Sequence, residues 1–257
     1  MPGLNLEIAD SSSRLQELDE RADEVRYLME QSSSGELAKF WYQLDLSSIY
    51  HDCALEGQVI GPEELSGAFD SHAITDAATL PLYEFIRSHR RALDMVRQLA
   101  AKERLEYSLD LFRDLHRLYT TDEEEKTTPR YRKGVPLHRS YYHEINEPQK
   151  IAANMRKLVS WMNEPYDPSA LHPMSYAAKL HSRFMRIFPF TETSGKIGRA
   201  IVDLFLMRHG YLPAVIHATE RQRYYESLKQ QSTALVDLLV DSELASLEAA
   251  IRFLGED

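Results

Sequence analysis

The sequence predicts an all-α fold that includes one short β-hairpin, and two observations support this prediction. Over most of the chain, apolar residues recur every three or four positions, which places them on one face of a helix. Residues 135–147, between Gly134 and Pro148, instead show the rough two-residue alternation of strands. We therefore expect a bundle of helices with one short β-hairpin.

The composition limits the classes of partner. A chain of 257 residues can form one large domain, or one domain with an appendage. Its 40 acidic and 30 basic residues give a net charge of −10, which argues against nucleic acid as a partner. Cys53 is the single cysteine, so we expect neither a disulfide framework nor a cysteine metal site. Without a membrane-length apolar run or a signal-peptide pattern, we expect a cytoplasmic protein that does not contact membranes.

The first segment, residues 1–36, is predicted to be a helical appendage. Residues 11–30 place an apolar stripe on a charged background, and the serines at 11–13 are suitable N-caps. Serine and glycine residues at 32–36 then end the helix. This helix is a candidate for capping the domain or for forming a homo-oligomer. A solvated helix packed by one stripe is an equal alternative.

The second segment, residues 37–119, is predicted to contain several further helices. The first of them ends at Gly57, since glycine is favoured just after a helix C-terminus. Pro62 occupies a favourable first position in the next helix. The basic run at 87–91 is interpreted as a solvated helix face, because no aromatic residues alternate with it.

The third segment, residues 120–257, is predicted to be the functional core. It begins with a loop at 120–134 that lacks any apolar period, and the predicted hairpin follows. Further along, Pro189 stops an apolar stripe that ends at Ile187, and a new stripe starts at Ile197. The small polar residues between them predict a tight loop that leads into a helix N-terminus.

The start of that second helix is a candidate anion site. The exposed N–H groups of a helix N-terminus have a partial positive charge, and Lys196 and Arg199 lie in the first turn. Glu192 precedes them, and a carboxylate beside an anion site typically holds a divalent cation that bridges to phosphate. Glu192 is therefore a candidate ligand for Mg²⁺ bound with a nucleotide. The alternative is a solvated helix start between two core helices.

The sequence FPFTETSGKIGR, residues 188–199, resembles the Fic motif, His-Pro-Phe-x-Asp/Glu-Gly-Asn-Gly-Arg/Lys-x-x-Arg. The positions that match are Pro189, Phe190, Glu192, Gly195, Lys196 and Arg199, with Gly198 at a common additional glycine. Three positions depart from the motif. Phe188 replaces the histidine, Thr193 replaces the first glycine, and Ser194 replaces the asparagine. Ser194 still has a hydroxyl that could donate to phosphate.

The resemblance implies a Fic-type helical bundle, in which the hairpin is a flap that pairs with an extended segment of a protein target. In Fic enzymes the motif histidine takes the proton from the target hydroxyl as it attacks the α-phosphate of a nucleotide. Phenylalanine has no lone pair for this role, and Phe188, at the end of an apolar helix, is expected to pack inward. His138 and His143 in the flap are candidates for a substitute base.

The resemblance extends to two further segments. DCALEG, residues 52–57, resembles the inhibitory motif Ser/Thr-x-x-x-Glu-Gly/Asn, with Asp52 in place of Ser/Thr. Glu56 would then pair with Arg199 and withhold it from the γ-phosphate of a nucleotide. TERQRYYESL resembles the segment whose tyrosine lies near the nucleotide base, although tyrosines of the core or rim are the alternative. The ligand-binding residues implied are Thr193, Ser194, Gly195, Lys196, Gly198, Arg199, Tyr224 and Tyr225.

These departures leave three functions open. The preferred one is a degenerate Fic-domain protein that binds a nucleotide or a phosphorylated small molecule and lacks ordinary adenylyl transfer (AMPylation). The second is a Fic-fold enzyme with changed chemistry, in which a flap histidine, Glu192 or Glu56 supplies the acid or base. The third is a residual protein adenylyltransferase that uses a substitute base.

Overall fold

The structure is a computed structural model that describes residues 2–70, 77–136, 143–230 and 233–255. Within these ranges it forms eleven α-helices and one 3-10 turn at Ala218–Glu220, in agreement with the predicted all-α class. No helix in the described ranges is long and apolar enough to cross a bilayer. The helices are α1 (Pro2–Gln31), α2 (Ser34–Leu55), α3 (Pro62–Phe69), α4 (Leu80–Ala100), α5 (Leu109–Tyr119), α6 (Glu123–Thr127), α7 (Pro148–Met162), α8 (Pro173–Ile187), α9 (Ser194–Arg208), α10 (Arg221–Ser227) and α11 (Thr233–Gly255).

The predicted β-hairpin is not seen. Residues 135–136 and 143–147 have no regular secondary structure, and the described part of the chain contains no strand. Residues 137–142 lie outside the described residues, and His138 is among them. The alternation in this segment did not identify a strand within the described residues.

Helix α1 is longer than the sequence predicts. It begins at Pro2 and continues through the serines at 11–13, so these serines are not N-caps. Helix α1 packs along α11, and its residues Leu18, Ala22 and Val25 are buried. This packing stabilises the helix beyond what local propensity suggests, because tertiary contacts override the weak helix preference of serine. The apolar stripe proposed for self-association is thus used within the chain, against α11.

Local sequence signals set both ends of α2. Ser33 accepts a hydrogen bond from the backbone N–H of Glu36, and the Glu36 side chain accepts one from Ser33 N–H, which forms a capping box. At the other end Gly57 has a left-handed φ of 86°, which an L side chain adopts only with strain. Glu56 is therefore held at the C-terminal end of α2, as the sequence predicts.

The basic run at 87–91 is only partly solvated, contrary to the sequence interpretation. Ser88 and His89 are buried, and the Ser88 hydroxyl donates to the Leu118 carbonyl oxygen at 2.7 Å. Five consecutive residues cover more than one helical turn, so some of them must face the core.

The predicted loop at 120–134 contains the short helix α6. The Asp122 carboxylate caps it by accepting hydrogen bonds from the N–H groups of Glu124 at 2.8 Å and Glu125 at 3.1 Å. Acidic residues at a helix N-terminus interact favourably with its partial positive charge. The sequence did not predict this helix because it has no apolar stripe. The helix places Glu125 near the candidate site.

Helix α9 lies at the centre of the fold, packed against α4, α5 and α8. Most of its residues are buried, including Lys196 and Arg199. Helix α8 approaches it closely at Gly198, where an added Cβ would lie 3.0 Å from Cε1 of His181. The segment between α8 and α9 therefore has both of its ends held in the core.

Candidate functional site

The turn after α8 is made by Phe188, which adopts the left-handed conformation with φ 47° and ψ 65°. This conformation costs an ordinary residue about 1–2 kcal/mol. The Phe188 ring is fully buried and lies edge-on to the His143 ring at 6.0 Å, so its predicted inward orientation is confirmed. Burial of the aromatic ring offsets the backbone strain.

Arg132, which lies in the predicted loop, holds this turn in place, and no pattern in the sequence indicated this role. Its Nε donates to the Phe188 carbonyl oxygen at 2.7 Å, and its Nη1 donates to the Gly134 carbonyl at 2.8 Å. Its Nη2 also donates to the Asn146 carbonyl, and its backbone N–H donates to the Pro189 carbonyl at 2.9 Å. One buried guanidinium thus joins both flanks of the predicted flap to the end of α8.

The Ser194 hydroxyl closes the next turn. It donates to the Phe190 carbonyl oxygen at 2.7 Å and accepts from the Phe190 N–H at 2.9 Å, and Ser194 is fully buried. The hydroxyl that the sequence offers to a ligand is therefore occupied within the loop.

Glu56 lies at the first turn of α9. Its Oε1 is 3.0 Å from Nη2 of Arg199, which is the proximity that the sequence predicts. A Cβ added to Gly195 would lie only 1.9 Å from the same oxygen, so the carboxylate rests against the helix backbone at this glycine. A negatively charged group thus lies at the positive end of α9. The inhibitory role of Glu56 remains a prediction.

A second carboxylate, Asp52, also binds Arg199. Asp52 Oδ1 accepts from Arg199 Nε, and its Oδ2 lies 3.1 Å from Nε2 of His89. Burial alone would raise the pKa of Asp52, but the charge of Arg199 and the His89 hydrogen bond hold it well below its usual value. In the sequence, Asp52 was noted only because it replaces the Ser/Thr of the inhibitory motif. In the structure, it forms an ion pair with Arg199.

The two tyrosines of α10 differ in their surroundings. Tyr224 is fully buried, and its hydroxyl lies 3.2 Å from Nη1 of Arg199 and 3.0 Å from Nε2 of His181. Tyr225 donates to the Leu55 carbonyl oxygen at 3.0 Å and lines the neighbouring cavity. Tyr224 therefore contacts Arg199 from within the core. Of the two tyrosines, only Tyr225 could contact a ligand in that cavity.

A cavity of about 470 Å³ opens beside these groups, which is a size typical of small-molecule sites. Lys196 reaches into it with Nζ 3.4 Å from Oε1 of Gln58. Arg221 is a second cation in the lining of this cavity. The cavity is lined by Glu56, Gln58, Phe85, Tyr119, Thr121, Glu192, Thr193, Lys196, Arg221 and Tyr225.

Glu192, the candidate Mg²⁺ ligand, is exposed at the mouth of this cavity. Among the described residues, no group of three or more His, Cys, Asp or Glu side chains could hold a metal ion. A cation bound through Glu192 would therefore need further oxygen ligands from a phosphate group and water, as Mg²⁺ commonly uses. This role stays a prediction.

The candidate base His143 is buried next to the turn. Its Nε2 lies 3.0 Å from the Met185 carbonyl oxygen, so this nitrogen donates to the backbone. His143 is not among the residues that line the cavity. The other candidate, His138, lies outside the described residues.

A buried histidine that the sequence analysis did not identify contacts the loop between α8 and α9. His116, on α5, places Nδ1 2.7 Å from the Thr193 hydroxyl and Nε2 2.5 Å from Oε2 of Glu125. Its ring stacks on Phe190 with the centroids 4.0 Å apart. His116, Glu125 and Thr193 come from three separate segments of the chain. No residue spacing within one segment could therefore have identified this cluster.

Asp203, on α9, lines a small cavity that Arg199 also lines. Its Oδ1 accepts from the Ala214 N–H at 3.1 Å. Burial nevertheless raises the pKa of Asp203 to about 7, because the desolvation of the carboxylate outweighs that hydrogen bond.

Comparisons with known proteins show what this chain is similar to. Residues 106–206 match the Fic/DOC family. The Drosophila persimilis and Drosophila virilis proteins named protein adenylyltransferase Fic are each 26% identical over 216 residues, or 84% of this chain. That match covers 41% and 43% of their lengths, respectively, so the chain spans less than half of these relatives.

Two solved structures share the fold. A Fic domain containing signaling protein from Bacteroides thetaiotaomicron superposes with a TM-score of 0.78 at 23% identity, covering 95% of this chain and 98% of that one. Fic-1 from C. elegans superposes with a TM-score of 0.78 at 21% identity, covering 98% of this chain and 74% of that one. Residues 106–206 of the chain are thus similar to the Fic/DOC family, and the chain shares the fold of these two Fic structures.

Proposed function

We propose that this chain binds a nucleotide, or another phosphate-bearing ligand, in the cavity beside Arg199, and that it lacks ordinary adenylyl transfer. The main support is the position of Glu56. Its carboxylate lies against Gly195 at the first turn of α9 and pairs with Arg199 at 3.0 Å. The chain itself thus places an anion where a phosphate group would bind.

The charges around the cavity favour a ligand with several phosphates. Lys196 lies in the first turn of α9, where the partial positive charge of the helix adds to its own, and Arg199 follows in the second turn. Arg221 lines the same cavity from α10. Charge-assisted hydrogen bonds to phosphate are stronger than neutral ones, so these cations would supply much of the affinity. A phosphorylated small molecule would use the same contacts.

The proposed lack of ordinary transfer depends on the turn after α8. Phe188 occupies the position that the motif assigns to the histidine, and its buried ring has no lone pair to accept a proton. His143 does not line the cavity and directs Nε2 to a backbone carbonyl. Loss of a positioned base removes about a hundred- to ten-thousand-fold of rate. The chain would then act as a ligand-regulated module that binds a protein partner.

Isothermal calorimetry tests this proposal. We would titrate ATP, with and without Mg²⁺, into the Glu56→Gly variant, in which the internal anion is removed. Changing Arg199 to Lys in that background should weaken binding by about ten-fold or more, because lysine cannot form the paired contacts of a guanidinium. Arg252→Lys on α11, an exposed site outside the cavity, is the matched control. Equal affinities for all three proteins, or no binding of ATP to any, would refute the assignment.

A further inference from the structure

Thr193 differs from the other polar residues of the loop because its hydroxyl contacts a histidine. Its Oγ1 lies 2.7 Å from Nδ1 of His116, and Nε2 of the same ring lies 2.5 Å from Oε2 of Glu125. His116 and Thr193 are each 3% exposed, whereas Glu125 reaches the surface. The order of groups is hydroxyl, imidazole and carboxylate, as in the triads of hydrolases that use a serine nucleophile.

The hydrogen bonds determine which nitrogen holds the proton. An ionised carboxylate only accepts, so Nε2 of His116 donates to Glu125. Burial lowers the pKa of His116, although Glu125 opposes this, so the ring is neutral near pH 7. Nδ1 therefore has the lone pair, and the Thr193 hydroxyl donates to it. Stacking on Phe190 at 4.0 Å fixes the plane of the ring.

Thr193 also lines the cavity assigned to the phosphate ligand, together with Lys196 and Arg221. It immediately precedes α9, at whose N-terminus a phosphate group would lie. A hydroxyl bonded to a neutral imidazole is thus next to the expected position of an electrophilic phosphorus atom. We propose that Thr193 is a covalent modification site, at which its hydroxyl attacks a phosphoanhydride bound in this cavity while His116 takes the proton. This inference rests on the proposed function, since the ligand must bind first.

The step balances without any other reactant. The Oγ1–P bond forms as one P–O bond of the anhydride breaks, and the leaving phosphate takes that electron pair. The proton of Thr193 moves to Nδ1 of His116, and Glu125 stabilises the imidazolium. Attack at the α-phosphorus of ATP releases pyrophosphate and leaves a nucleotidyl group. Attack at the γ-phosphorus releases ADP and leaves phosphothreonine. In both cases Lys196 and Arg221, which line the cavity, would stabilise the leaving group.

Glu56 would control this reaction. Its carboxylate rests at the first turn of α9, so it competes with the phosphate group whose phosphorus Thr193 would attack. The intact chain should therefore modify itself slowly, and Glu56→Gly should modify itself faster. A phosphate ester on Thr193 would afterwards lie close to Lys196, in competition with Glu56 for the same positive end of the helix.

Mass spectrometry of the full-length chain tests the proposal. We would incubate Glu56→Gly with Mg²⁺ and ATP labelled at either the α- or the γ-phosphate. The expected result is modification at Thr193, with the retained label identifying the phosphorus attacked. Thr193→Ser should keep labelling, because it keeps the hydroxyl, and Thr193→Val should abolish it. His116→Gln should slow labelling by about a hundred-fold or more. Thr191→Val changes an exposed threonine of the same loop and is the matched control.

Two results separate this inference from the proposed function. Calorimetric binding of ATP to Glu56→Gly, with Thr193 unmodified after prolonged incubation, would overturn the inference and leave the binding function intact. Undiminished labelling of Thr193→Val would overturn it as well, because the acceptor would then be another residue. No binding of ATP to Glu56→Gly would refute the binding function, and this inference with it.

Discussion

Arg199 is held by two carboxylates, and this predicts how nucleotide affinity responds when each is neutralised. Glu56 contacts Nη2 at 3.0 Å, and Asp52 accepts from Nε. Glu56→Gly removes the charge and the side chain, whereas Glu56→Gln removes only the charge. Asp52→Asn removes the other charge with little change in shape.

The expected magnitudes follow from what each change releases. A hydrogen bond to a charged group contributes about 1.5–3 kcal/mol, and about 1.4 kcal/mol corresponds to a ten-fold change in affinity. Glu56→Gly should therefore tighten ATP binding by about ten- to a hundred-fold. Glu56→Gln should increase the affinity for ATP less, because the glutamine side chain still occupies the space beside Gly195. The Glu56 side chain is so close there that a Cβ added to Gly195 would lie 1.9 Å from Glu56 Oε1. Both carboxylates bind Arg199, so their effects are not independent. Combining Asp52→Asn with the Glu56 change should therefore increase the free energy of ATP binding by more than the sum of the two single effects.

Calorimetry with ATP and Mg²⁺ would measure the affinities of the intact chain and of the four variants, and circular dichroism would verify that each variant is folded. Glu63→Gln is the matched control, since it removes one negative charge from an exposed position on α3. An affinity that rises equally for Glu63→Gln and Glu56→Gln would show that net charge alone controls binding. Unchanged affinity for Glu56→Gly would mean that the pair with Arg199 is purely structural.

Two further predictions concern the loop and α9. Phe188→His alone should not produce adenylylation at residues other than Thr193, because Thr193 and Ser194 also depart from the motif; such adenylylation should need Thr193→Gly, Ser194→Asn and Glu56→Gly as well. Robust adenylylation of another residue by the single variant, located by mass spectrometry, would contradict this. Since the pKa of Asp203 is raised to about 7, its contribution to stability is full below pH 4 and is lost as the pH rises through 7. Asp203→Asn should therefore raise the unfolding free energy at pH 8 by about 1–4 kcal/mol and leave it nearly unchanged at pH 4. Urea denaturation at both pH values would measure this, and equal effects would refute it.

The sequence predicts the helices well, because helix periodicity is a local signal. The stripe that ends at Ile187 and the one that starts at Ile197 both became helices, with the tight loop between them. The proximity of Glu56 and Arg199 also agreed with the structure, since the resemblance to a known motif places both residues. Local signals failed where packing decides, as for α1, which extends past its serines because it lies along α11.

The contacts that were missed join residues far apart in the chain. Arg132 binds the Phe188 carbonyl, and His116 binds Thr193, but neither contact leaves a recognisable spacing in the sequence. The left-handed turn at Phe188 was also unexpected, because phenylalanine rarely adopts a positive φ and only surrounding structure can enforce it.

The most direct test of the binding function is a crystal structure of Glu56→Gly with ATP and Mg²⁺. We predict phosphate oxygens within hydrogen-bonding distance of Arg199 and of the backbone at Gly195, where the Glu56 carboxylate lies in the intact chain. Nucleotide bound elsewhere, with the first turn of α9 lacking a phosphate group, would contradict the assignment of this cavity.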